Sequence, residues 1–127
     1  MKSINIPDTE TYAKDIHAWE TMLEQFQQEN TLLKTQLAQV VDINTGKAFL
    51  DLAESFNSQF ILKDECILDL KKDIEAHKKS LFNGLYLYPN HSKMLVKKHL
   101  KLRNEMEHFS QGISVLKDKF NNYLYTL

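Results

Sequence analysis

The side chains in this sequence best suited to chemistry are its histidines, five in number, set against a single cysteine, Cys66. Neutral imidazoles on facing helices can ligate Zn²⁺ or a similar ion, and His77, His99 and His17 form the candidate metal set. The plainer reading is a polar layer in which the histidines bond Tyr12, backbone or water, and it is preferred. A bundle-type di-metal site needs two Glu-x-x-His motifs and further inward carboxylates. Here Glu105-x-x-His108 is the one such motif, and its residues flank a helix seam rather than occupying it. Asn44-Thr45-Gly46-Lys47 lacks the upstream glycine and the strand of a phosphate loop. With no nucleophile elbow and no paired catalytic carboxylates, the chain does not read as an enzyme, and no cofactor is expected.

The elements that must carry these residues are legible from period. Tyr12, Ile16, Trp19, Leu23, Phe26, Asn30, Leu33, Leu37 and Val40 alternate four and three apart, which places them on one stripe of a helix. A second seam runs Phe49, Ala53, Phe56, Phe60, Lys63, Ile67, Leu70, Ile74, His77, Leu81. A third runs Leu95, His99, Leu102, Met106, Phe109, Ile113, Leu116, Phe120, Tyr123, Leu127. Asp8 or Thr9 suits the first helix start, Asp42–Gly46 is a turn cluster, and Asn83-Gly84 stops the second helix. The helices therefore span about 8–42, 46–82 and 91–126, within one domain of 127 residues. A continuous helix from about Thr9 to Leu81 is the rival, and Gly46 and the shift of seam phase argue against it.

Short connections make neighbouring helices antiparallel. The expected fold is all-α: an elongated antiparallel three-helix bundle of coiled-coil type, up-down-up. Each seam covers about 30 residues, a rod of roughly 45–50 Å at ~1.5 Å per residue. In shape this resembles a spectrin-type repeat, down to the seam tryptophan Trp19 of the first helix. The resemblance implies the fold and carries no function with it.

Folding about residue 45 brings Tyr12 to His77, and folding about residue 88 brings His77 to His99. With His17 one turn along and His91 in the adjacent loop, four histidines gather at one end. Protonating a close His77–His99 pair sets like charges together, so stability is expected to fall below about pH 6, near the ordinary imidazole value. Asn30 reads as a register-setting polar core residue. Lys63 is expected to lay its methylenes on Phe26 and send its ammonium outward, with Gly112 at much the same level.

Charge and aromatics single out the same end. Residues 8–42 hold seven acids and two lysines, a balance of −5, whereas residues 93–127 hold three acids and seven bases, a balance of +4. Opposite charge on two parallel helices favours their pairing. Lys93, Lys97, Lys98, Lys101 and Arg103 crowd the first half of the third helix, beside a connection rich in Phe82, Leu85, Tyr86, Leu87 and Tyr88. That connection either caps the bundle or presents an anchor to a partner, as tyrosine suits interfaces. The candidate partner-binding residues are Leu85, Tyr86, Leu87, Tyr88, Lys97 and Lys101. Leu50, Ile61 and Leu68 form a second apolar stripe, the candidate self-association face of a homodimer. The implied partner is another protein or a second copy. Near-neutral charge disfavours nucleic acid, and no apolar run is long enough for a membrane span. Met1–Pro7 does not read as a signal peptide, Asn90-His91-Ser92 is then a chance sequon, and the lone cysteine fits a reducing compartment. A cytoplasmic scaffold or interaction module is the expected function, with a metal- or small-ligand-binding bundle as the alternative.

Overall fold

A computed structural model describes residues 8–44 and 46–127. Met1–Pro7, Thr45 and the side chain of Leu85 lie outside the described residues, and with them the reading of the N-terminus as free of a targeting signal. The described residues form three long helices, α1 (Thr9–Ile43), α2 (Lys47–Phe82) and α3 (Pro89–Tyr125), with a one-turn 3₁₀ helix, Leu85–Leu87, between the last two. At ~1.5 Å per residue they are rods of about 52–56 Å. The partners of cross-helix ion pairs reveal their directions. From Lys34–Asp64 through Glu24–Lys71 to Glu20–Lys78, residue numbers fall on α1 as they rise on α2. From Asp15–Arg103 to Glu29–Lys117 they rise together on α1 and α3. The topology is the antiparallel up-down-up bundle that the seams imply, and the continuous 9–81 helix is excluded.

Local chemistry sets the ends. Asp8 caps α1 by accepting from the Thr11 N–H at 3.1 Å, which satisfies one of the orphan donors of a first turn. Asn44 leaves α1 in extended backbone (φ −126°, ψ 123°), so the helix stops before Gly46. Gly84 adopts φ 78°, the left-handed conformation that costs glycine least. The third helix begins two residues earlier than its seam suggests. Pro89 occupies its first turn, where a fixed φ is preorganised and the missing N–H is not needed. His91 is accordingly helical, not part of the connection.

The seam residues are buried almost without exception; Tyr12, Phe26, Val40, Phe49 and Lys63 are half-buried and Leu127 is exposed. The buried side chains divide into two clusters. One, toward the α2–α3 connection, holds Ile16, Trp19, Leu23, Ile74, Leu81 and Leu102. The other, toward Gly46, is built on Phe56, Phe60, Phe120 and Tyr123, whose ring centroids lie 5.0–6.3 Å apart. Between the clusters lies a polar belt. Asn30, fully buried, donates to the Phe60 carbonyl (2.9 Å) and to Asp64 (2.6 Å). Lys63 does not reach outward from Phe26 as expected: its ammonium lies over the Phe109 ring, 5.6 Å from the centroid. Gly112 makes room for it, since a Cβ there would stand 3.0 Å from Lys63 Nζ. Among the described residues no helix is long and apolar enough to cross a membrane.

Candidate functional site

The layer of Tyr12, His77 and His99 forms as register requires. Tyr12 stacks flat on the His99 ring, centroids 3.7 Å apart and planes within 2°, and the Trp19 ring lies tilted by 36° with its centroid 4.7 Å away. His77 Nε2 stands 2.9 Å from His99 Nδ1, and both residues are buried, 2 % and 1 % exposed. His99 Nε2 in turn meets Asp15 Oδ2 at 2.8 Å, and Arg103 donates to the same oxygen at 3.2 Å. Asp15 is the member that seam reading missed. It lies beside Ile16, off the stripe, and the only signal for it was an acid on the α1 flank at the level of two core histidines.

Charge fixes the protons of this relay. Hydrogen bonding by His99, joined by Arg103, holds the Asp15 carboxyl below the ordinary carboxylate range, so at neutral pH it only accepts. His99 Nε2 therefore carries a hydrogen. Burial lowers the His99 pKa, against the opposing pull of Asp15. Burial, then the charges of His99 and Lys98, lowers His77 to about 4. Both imidazoles are neutral at pH 7, and a neutral imidazole has one N–H. His99 Nδ1 must then accept, His77 Nε2 must donate, and His77 Nδ1 is left as a bare lone pair. It is buried, and among the described residues no donor reaches it.

His77 lines a cavity of about 290 Å³ in the cleft between the end of α2 and the start of α3. Ala76, Met94, Leu95 and Tyr86 give it apolar walls, and Ser80, Asn83, His91 and Lys98 contribute polar atoms. His17 does not join: it is exposed on α1. His91 is exposed and edge-on to Tyr88 at 6.3 Å. His108 lines a separate α2–α3 groove with Cys66, Asp69, Asp73 and Glu105. Among the described residues no three His, Cys, Asp or Glu side chains converge as a metal ion would need.

The connection divides its roles. Tyr86 packs on the buried cluster, whereas Phe82, Leu87, Tyr88 and Met94 are 62–67 % exposed. Lys101 pairs with Glu105 at 3.6 Å. Lys79, Lys93, Lys97 and Lys98 have no carboxylate within ion-pair distance among the described residues. Leu50, Ile61 and Leu68 are 38, 46 and 53 % exposed on α2. Leu50 reaches a shallow α1–α2 groove with Leu37, Ala38 and Val41. Comparison with family models, characterised proteins and solved structures finds no match to this chain.

Proposed function

We propose that the chain is a non-catalytic interaction module whose working end is the α2–α3 connection, and that its partner is an acidic protein segment carrying apolar side chains. The observation that carries this reading is the combination at that end of exposed Phe82, Leu87, Tyr88 and Met94 with four lysines, Lys79, Lys93, Lys97 and Lys98, that have no acidic partner among the described residues. Large apolar and aromatic side chains desolvate to hold a partner, and unpaired charge steers the approach of an acidic one. A cytoplasmic setting belongs to the same proposal, supported by the free, exposed Cys66.

The test is a partner captured on the wild-type protein, identified, purified and measured by calorimetry. Two variants, Phe82→Ser/Leu87→Ser/Tyr88→Ser and Lys93→Glu/Lys97→Glu, each weaken binding about tenfold or more, the order expected for losing anchor contacts. Unchanged affinity in both removes the reading.

Self-association through α2 is a second reading, favoured by the exposure of Leu50, Ile61 and Leu68 along one flank. Sedimentation equilibrium decides it. A concentration-dependent dimer lost in Ile61→Glu/Leu68→Glu supports it, and a monomer at every loading ends it.

A further inference from the structure

The relay Asp15–His99–His77 ends in a buried acceptor without a donor, at a residue that lines a cavity of about 290 Å³. An acceptor left so costs stability unless something donates to it. The cavity is near the lower bound of small-molecule sites and shares their make-up, apolar walls with a few convergent polar groups. Three features define what fits. The lone pair of His77 Nδ1 demands an O–H or N–H donor, so a fully deprotonated anion cannot satisfy it. Ala76, Met94, Leu95 and Tyr86 call for an apolar body. Lys98, on the cavity wall and without an acidic partner among the described residues, opposes a cation and favours an anionic group.

We propose that this cleft is a binding site for a small amphipathic organic acid, whose hydroxyl donates to His77 Nδ1 and whose carboxylate faces Lys98. The cleft borders the exposed interaction surface and shares Met94 and Lys98 with it, but the small-ligand proposal rests on His77 Nδ1 and does not depend on that reading. Asp15 and His99 do not touch the ligand; they are positioning residues that keep His77 in the tautomer with Nδ1 bare. The second-layer logic is that of a carboxylate orienting an imidazole, which fixes which nitrogen is left to act.

Nitrogen-15 NMR of the full chain tests the site with p-hydroxyphenylacetate as probe, and phenylacetate, inorganic phosphate and Zn²⁺ as comparisons. Before any ligand, His77 is expected as the neutral Nε2–H tautomer; an Nδ1–H form overturns the proposal at once. On titration the hydroxylated acid moves the His77 Nδ1 resonance. Phenylacetate, which lacks the donor, binds about tenfold more weakly, the order of one hydrogen bond. Lys98→Met weakens the acid similarly, and because Lys98 is half-exposed its replacement leaves the fold intact by circular dichroism. Equal binding of the two acids overturns the proposal. So does a His77 resonance that only Zn²⁺ or only phosphate moves, or that nothing moves.

Discussion

At the scale of single residues the dominant fact is a pair of imidazoles kept neutral inside a helical core. Tyr12 and Asp15 face the pair from α1, and Lys98 and Arg103 face it from α3. The folded His77 pKa of about 4 lies below the ordinary 6.5 of an unfolded chain. The unfolded chain therefore takes up a proton first as pH falls. The contribution of neutral His77 is intact above about pH 6.5 and is lost progressively toward pH 4. By linkage the loss amounts to about 2 kcal/mol at pH 5, or a fall in Tm of roughly 8 °C for a chain of this size. Thermal melts from pH 7.5 to 5 check this. In His77→Gln, whose amide still offers a donor to His99 Nδ1, the fall shrinks to less than half. Equal slopes in both proteins would place the sensitivity elsewhere. The direction agrees with the sequence reading. Burial is the larger cause, and the like charge of His99, the cause that reading named, comes second. Register alone brought Tyr12, His77 and His99 together. Asp15 was hidden because seam analysis follows core positions, and a carboxylate reaching in from the flank leaves no trace in the apolar period.

At the scale of elements, each helix was legible because its stripe is long and regular, and its ends were less so. The start of α3 lies two residues before the bound given by its seam, because the apolar stripe begins only at Leu95 while Pro89 already starts the first turn. The neighbourhood of Lys63 was half legible. Counting along antiparallel seams put Gly112 at its level, but the direction of a flexible four-carbon side chain is not encoded in period. Its ammonium settles over Phe109 because the missing Cβ of Gly112 opens that path. This yields a prediction for α3. Gly112→Ala removes a glycine worth about 1 kcal/mol of helix propensity and meets only the far end of Lys63, 3.0 Å away. The ammonium swings off Phe109, forfeiting part of a half-buried cation–π contact of ~1 kcal/mol. The balance is a gain of about 0.5 kcal/mol, seen as a rise in Tm of roughly 2 °C. A loss of more than that rise would mean Lys63 is held in place by more than Phe109.

At the scale of the whole molecule the bundle is two apolar clusters joined through a polar belt, and the two ends have different chemistry. The Gly46 end is held by interlocking aromatic rings. The opposite end rests on a histidine relay whose stability drains away with acid. The belt between them contains Asn30, whose Oδ1 is buried without a partner among the described residues, so the link between clusters carries an unmet acceptor. Cooperative unfolding depends on that link. Trp19, the sole tryptophan, sits 4.7 Å from His99 and reports the histidine end alone, whereas far-UV ellipticity reports all three helices. At pH 7.5 the two probes are expected to share one urea midpoint. At pH 5, with about 2 kcal/mol withdrawn from one end, the Trp19 midpoint moves ahead by about 1 M urea at an m-value of roughly 2 kcal/mol/M. Asn30→Leu closes the gap. Leucine fills the belt, removes the unmet Oδ1 and leaves Asp64 its pairing with Lys34, so both midpoints rise and coincide again at pH 5. Coincident transitions in the wild type at pH 5 would show that the belt transmits stability fully and that acid weakens the bundle as one unit. A gap that persists in Asn30→Leu would shift the weak link from Asn30 to the Lys63–Gly112 contact beside it.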